Sequence, residues 1–235
     1  MLDDLTEKER TLFWVGIGLW ALGCAIGAMS QLYFNFIAPA AAGRWNIVQA
    51  VLAGAVVALP CCAVYMIFPT LVDRFEPEPW WMLAMAFIWG MAAAGGFSAV
   101  INTFMADLGR ALWGPAGARF VGASISAPIT EEMFKAACPL GVLLFMRRQF
   151  DGKVDGFIYA SFAGLGFAVS ENIVYYARGI LTDSFWYQFM IRGVLRPWNH
   201  AFYASLAGFG IGIARETTKT HVKILAPLLG IFAAM

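Results

Sequence analysis

Long apolar runs, each bounded by charged or turn residues, succeed one another from end to end of this chain, and no other feature limits its fold so strongly. About 20 apolar residues cross a bilayer as one helix. Inside lipid every backbone N–H and C=O needs a protein partner, which helices supply within themselves. Spans are read at about residues 11–37, 47–68, 80–105, 127–146, 155–177, 197–214 and from 223 onward. The expected fold is all-α: a polytopic transmembrane helix bundle of about seven spans, with residues 1–235 forming a single multi-pass domain. Composition agrees, since 60% of residues are apolar and only 13% charged, against about 25% charged in soluble domains. A soluble enzyme is excluded. A net charge of +1 leaves no clustered basic surface for nucleic acid.

The N-terminal "MLDDLTEKER" has no excess of positive charge, and the apolar run after it is too long for a signal peptide, so it reads as a retained first span. Cys24, Cys61, Cys62 and Cys138 lie within apolar runs without a CxxC pair, as packing residues do. Two places depart from the pattern. Residues 107–127 contain "ARFVGASISAP", too apolar for a solvated loop and too short to span, and fit a re-entrant or interfacial segment before the fourth span. The final "ILAPLLGIFAAM" is short for a span and reads as a truncated last helix. Lys and Arg then orient the chain. Lys8, Arg10, Arg74, Arg147, Arg148, Lys153, Arg215, Lys219 and Lys223 fall on one side, and Arg44, Arg110, Arg119, Arg178, Arg192 and Arg196 on the other. The excess predicts a cytoplasmic (inner) membrane protein with a cytoplasmic N-terminus.

Four charges remain inside spans, Glu131, Glu132, Lys135 and Glu171, with His200 as a titratable fifth. Each costs on the order of 3 kcal/mol near a bilayer centre, so such a cluster is a site hypothesis by default. The bland alternative is an ion-paired clamp, Glu131 with Lys135 at i, i+4; it leaves Glu132, Glu171 and His200 unexplained. Topology puts Glu131, Glu132 and His200 in the first turns of descending helices and Glu171 near the outer end of an ascending one, all towards the external face. Small-residue rows Ala160, Gly164, Ala168 and Ala204, Gly208, Gly212 would let these helices approach. No G-x-S-x-G elbow surrounds Ser124, Ser126, Ser161, Ser170 or Ser205, and no H-E-x-x-H is present. Carboxylate chemistry is left: a Glu-activated water, with or without a metal.

"EEMFK" at 131–135, "DGFIYASFAGLGFAVSENIVYY" at 155–176 and "NHAFYASLAGFGIG" at 199–212 resemble the PrsW family of intramembrane proteases, and "DRFEPEPWWMLAMAFIWG" at 73–90 is similar to that family's loop before its third span. The resemblance implies a multi-pass protease distantly related to type II CAAX prenyl endopeptidases, cutting a single-pass, anti-sigma-factor-like membrane protein near the extracytoplasmic face. It implies Glu131, Glu132, Glu171 and His200 as catalytic residues, with Phe167 in the motif of Glu171; Lys135, Phe167, Asn172 and Asn199 are expected to support them. The chain departs from the wider group in having Ala204 four residues after His200, where CAAX enzymes often carry Asn.

Two carboxylates in a dry site divide into acid and base. Glu131 and Glu171 are expected to position and deprotonate a water, Glu132 with Lys135 to balance charge, and His200 to stabilise the oxyanion or protonate the leaving amine. The metal version of the same site puts Glu131, Glu171 and His200 around Zn²⁺, and the sequence leaves both versions open. The expected partners are a single-pass substrate and the lipid bilayer; oligomeric state is not legible. A proton- or cation-coupled transporter is the rival from another class, since it too would carry buried Glu, Lys and His, and a membrane scaffold is the second.

Overall fold

The computed structural model describes residues 5–235, apart from the Phe75 side chain; the first four residues of "MLDDLTEKER" lie outside it. The first helix, α1 (Glu7–Leu32), opens on a capping box in which the Thr6 hydroxyl accepts from the Glu9 N–H and the Glu9 carboxylate accepts from the Thr6 N–H. It continues through a wide π turn at Tyr33–Ile37. Then follow α2 (Trp45–Tyr65), α3 (Trp80–Ile88), α4 (Gly95–Arg119), α5 (Ala127–Phe145), α6 (Lys153–Leu181), α7 (Phe185–Phe189), α8 (Asn199–Glu216) and α9 (Thr220–Ala234). Among the described residues there is no strand. Four helical stretches are long and apolar enough to cross a membrane, Glu7–Ala41, Trp45–Val72, Trp80–Phe145 and Lys153–Leu181, and α9 is a shorter apolar helix. The chain is a multi-pass, all-helical membrane protein.

Residues 107–127, expected as a re-entrant or interfacial segment, are helical and folded back on themselves. The 66-residue stretch Trp80–Phe145 folds in two where Trp113 and Gly114 leave helical geometry, and Gly114 has φ 67°, a conformation open to glycine. Gly109 then backs onto the Gly117 carbonyl and Gly122 onto Ala106. The segment is therefore the tip of a helical hairpin. Its small residues let the two backbones touch, which buries Ala118 and Val121 and leaves Phe120 and Ile125 exposed on the outside of the hairpin.

At the centre stands α6. In its most apolar window 78% of residues are buried, against 22% to 39% in the other three candidate spans. That is possible because glycines bring neighbouring backbones close: Gly156 meets the Gly208 carbonyl, Gly164 meets the His200 carbonyl, and Gly166 meets the Phe87 carbonyl. These contacts run α6 and α8 antiparallel with their small-residue rows face to face. Tryptophans tie other pairs of helices, with Trp89 Nε1 donating to the Phe134 carbonyl at 2.8 Å and Trp20 Nε1 to the Met85 carbonyl at 3.1 Å.

The end of the molecule near the 73–79 loop is held by a second polar group. The Asp73 carboxylate accepts from the Glu78 N–H, and the Tyr159 hydroxyl of α6 donates to the Glu78 carboxylate. Burial pushes the Glu78 carboxyl up to about 7 from the usual 4.5; the Tyr159 hydrogen bond opposes the shift, and the negative charges of Asp155 and Asp73 add to it.

A carboxyl with a raised folded pKa contributes stability that is fully present below the unfolded value and is lost as pH rises through the folded one. The Glu78→Gln variant should therefore gain thermal stability over wild type between pH 5 and pH 8, which melting curves in detergent at several pH values would measure. A larger effect is expected at the α6–α8 contact. In Gly164→Val the new side chain meets the His200 backbone, at a cost of about 1–3 kcal/mol, and a lowered melting temperature should accompany displacement of His200.

Candidate active site

Pro128 occupies the first turn of α5, where its missing N–H is harmless, and Glu131 and Glu132 follow within the next turn. They separate at once. Glu131 lines a cavity of about 570 Å³ together with Phe167, Ser170 and Glu171 of α6 and Ser98 and Asn102 of α4. The exposed Asp107, Arg110 and Arg178 also line it, so the cavity reaches the polar end of the bundle. Glu132 points elsewhere and is buried.

From Glu132 an unbroken series of polar contacts crosses the bundle. Glu132 Oε1 lies 2.5 Å from Lys135 Nζ, Lys135 Nζ lies 3.1 Å from His200 Nδ1, and His200 Nε2 lies 2.7 Å from Glu171 Oε2. Arg192 closes the series by donating to Glu171 Oε2 at 2.9 Å and to Asn172 Oδ1 at 3.2 Å. Lys135 is the partner of Glu132, not of Glu131. Its ammonium is fully buried and also sits 4.3 Å from the centroid of the Phe167 ring, which meets the charge with its π face. An ammonium can only donate, so Nδ1 of His200 accepts, and the ring proton belongs on Nε2, facing Glu171. The Phe167 and His200 ring centroids are 5.0 Å apart. Asn172 and Asn199 line a smaller cavity of about 120 Å³ with Arg192 and His200, which neither Glu131 nor Glu171 lines.

The two cavity carboxylates are thus unlike. Glu171 holds Arg192 and His200 through one oxygen and leaves Oε1 without a partner among the described residues. Among the described residues Glu131 has a single side-chain hydrogen bond, from the Asn102 amide at 3.4 Å. Asn102 Oδ1 accepts from the Ser126 hydroxyl at 2.7 Å, and the Thr130 hydroxyl lies 2.9 Å from both Asn102 Oδ1 and the Ser126 carbonyl.

Two of these residues were not singled out from the sequence. Arg192 was assigned to an external loop; it lies in a π-helical segment, Met190–Leu195, that returns it over the Tyr175 ring, 3.5 Å from the centroid, to reach Glu171. The signal available was a lone Arg within the apolar "FMIRGVL". Asn102, in "AVINTFMA", is the other.

A family profile described as PrsW family intramembrane metalloprotease matches residues 78–235, a stretch that contains every residue of both cavities except Gln31, Phe34 and Asn35. The chain belongs to the PrsW family. Its similar relatives include three proteins called Protease PrsW. That of Oceanobacillus iheyensis is 33% identical over 45% of this chain and 46% of its own length. Those of Geobacillus kaustophilus and Bacillus subtilis are each 27% identical, over 63% and 66% of this chain and 61% and 66% of their own lengths. The chain thus spans about half to two thirds of the curated relatives it matches. No solved structure matches it.

The PrsW description names a metal, which makes the donor set worth testing against one. Among the described residues no group of three or more His, Cys, Asp or Glu could hold a metal ion. The contacts say why: His200 Nε2 and Glu171 Oε2 are hydrogen-bonded to each other at 2.7 Å, and Nδ1 faces an ammonium. A metal-bound imidazole instead donates its other N–H to an acceptor. As arranged, these residues do not fit a metal site.

The buried ion pair sets its own test. Lys135→Met strands the Glu132 carboxylate, at a cost of about 3–5 kcal/mol, and should lower the melting temperature of the PrsW-type bundle. Adding Glu132→Gln removes the stranded charge and should restore much of the loss. Tryptophan fluorescence melts of both variants in detergent check this.

Proposed function

We propose that the chain is an intramembrane peptidase that hydrolyses a peptide bond of a single-pass membrane protein by means of a glutamate-activated water. The observation that carries this reading is the inequality of the two carboxylates in one cavity: Glu171 is anchored by direct contacts to a guanidinium and an imidazole, whereas Glu131 makes, among the described residues, no ion pair and only a long amide contact. Such a pair suits a division into an orienting group and a proton carrier.

In the proposed reaction a water sits between Glu131 and the unpartnered Oε1 of Glu171. Glu131 removes a proton as the water oxygen bonds to the scissile carbonyl carbon, giving a tetrahedral intermediate. The C–N bond then breaks while Glu131 returns that proton to the leaving nitrogen, so one acid and one amine leave the site. Arg192 and His200 keep Glu171 in place throughout. Glu132 and Lys135 hold the His200 ring, with Phe167 packed against both partners, and Asn172 steadies Arg192. Asn199, in the first turn of α8, supports the position of His200.

The substrate follows from depth and access. A helix hides its carbonyls in its own hydrogen bonds, so a cut requires unwound backbone, available where a span leaves the bilayer. With the N-terminus cytoplasmic in the inner membrane, the cavity opens outward, and an anti-sigma-factor-like protein cut at its extracytoplasmic juxtamembrane segment is the fitting class. Names of the relatives support proteolysis, each being called a protease.

Glu131→Gln and Glu171→Gln should each lower cleavage of single-pass test proteins by about 10²–10⁴-fold while the folded yield stays at the wild-type level. Mass spectrometry of the products should place the cuts on the external side. Equal cleavage by Glu131→Gln, or cuts confined to cytoplasmic segments, would overturn the reading. Chelation should leave the rate unchanged. Stoichiometric zinc in the purified protein, with loss of activity on its removal, would instead return Glu131, Glu171 and His200 to the role of metal ligands.

A further inference from the structure

A tetrahedral intermediate carries its charge on the former carbonyl oxygen, and hydrolysis needs a preorganised donor where that charge appears. His200 is poorly placed to supply it. Both ring nitrogens are engaged, with Lys135 and Glu171, and the residue lines the smaller cavity and not the one that Glu131 lines. Arg192 lines that smaller cavity too and spends NH1 on Glu171 and Asn172. Within the larger cavity, Gln31 Nε2 is committed to the Met91 and Ala92 carbonyls and the Thr103 hydroxyl to the Ala99 carbonyl.

Asn102 is different on three counts. Its amide is oriented: the Ser126 hydroxyl donates to Oδ1 at 2.7 Å, and the Thr130 hydroxyl, 2.9 Å from Oδ1 and 2.9 Å from the Ser126 carbonyl, shares its one hydrogen between the two, which turns Nδ2 towards Glu131. That nitrogen bears two hydrogens, and Glu131 Oε1, at 3.4 Å, takes at most one of them, beyond the 2.7–3.2 Å of a firm N–H···O bond. One turn earlier on the same face of α4, Ser98 lines the same cavity with a buried hydroxyl that has no hydrogen-bond partner. This face of α4 therefore presents hydrogen-bonding capacity that the folded chain leaves unused, opposite the carboxylates.

We propose that Asn102 is a catalytic residue, its Nδ2 donating to the oxyanion of the tetrahedral intermediate, with Ser126 and Thr130 as the positioning residues that fix its amide. This rests on the proteolytic reading given above. The geometry is consistent: the two oxygens of a tetrahedral carbon lie closer together than Glu131 Oε1 and Asn102 Nδ2 do, so an intermediate whose attacking oxygen bonds Glu131 can reach the amide with its other oxygen. Two polar hydroxyls in an apolar segment set against one amide oxygen also fit a group that must not rotate.

The test uses the full chain in liposomes with a single-pass peptide that wild type cuts, and a phosphinic analogue of that peptide as a probe of the tetrahedral state. Asn102→Leu should lower kcat by about 10²–10³-fold with KM unmoved, and weaken the phosphinic analogue by the same factor. Asn102→Asp, which keeps both hydroxyl contacts and so the fold, should lose kcat as well, because it removes the N–H. The double variant Ser126→Ala with Thr130→Val, which leaves Asn102 in place but frees its amide, should fall between. Wild-type kcat in Asn102→Leu or Asn102→Asp overturns the proposal and leaves the proteolytic reading standing. So does a loss matched only by loss of folded protein, or a raised KM with unchanged analogue affinity. A wild-type chain that cuts no member of a panel of single-pass peptides, and does so no better than Glu131→Gln, overturns the proteolytic reading and this one with it.

Discussion

A lysine ammonium with no exposed surface is tolerable inside a membrane protein only when its charge is met on every side, and Lys135 is met by Glu132, His200 and the face of Phe167. Those three partners come from α5, α8 and α6. The ammonium therefore fixes the relation of three helices at one depth, and it does so by directional contacts that a slip of one residue would break. Its donor-only character also sets the tautomer of His200, which in turn directs a ring N–H at Glu171. The orientation of one cavity carboxylate is thus inherited from a charge that never reaches the cavity.

Close packing makes those contacts affordable in length. Gly164 lies against the His200 carbonyl and Gly156 against that of Gly208, so α6 and α8 approach as nearly as their backbones allow. A short histidine side chain can then bridge between Lys135 and Glu171. With larger residues in the two rows the helices would separate, and the same five polar groups would sit out of reach of one another. Burial of α6 on all sides follows from the same glycines and alanines, which explains how the helix carrying Glu171 is also the most enclosed of the candidate spans.

Much of this was legible in the sequence. Apolar run length gave the helices, and the cost of charge in lipid singled out Glu131, Glu132, Lys135, Glu171 and His200, which the fold gathers into one region. The small-residue rows on α6 and α8 pointed to their contact. Pairing was read in two ways: the i, i+4 spacing offered Lys135 with Glu131 as a structural clamp, while the catalytic reading set Glu132 with Lys135, and the latter is the pair the structure forms at i, i+3. Arg192 escaped because charge counting assigns a residue to a side of the membrane and says nothing of a π turn that swings it back. For residues 107–127 the apolar stretch marked a segment packed on protein, but not the turn that Gly109 and Gly117 close into a helical hairpin.

Asn102 was invisible for a deeper reason. A neutral amide carries no charge penalty that would mark it out, and asparagine in a membrane helix commonly serves helix–helix hydrogen bonding. Only the convergence of Ser126 and Thr130 on its oxygen, 24 and 28 residues away along the chain, distinguishes it. The hairpin that brings those residues back to α4 is the same one that gives Glu131 its cavity. A single turn at Trp113 and Gly114 therefore determines both what Glu131 faces and which donor stands beside it. The polar chain through Lys135 has no part in that; it governs the opposite wall. The site is assembled from two independent constraints, a charge network behind Glu171 and the hydroxyls behind Asn102, with Glu131 between them held, among the described residues, only by the Asn102 amide.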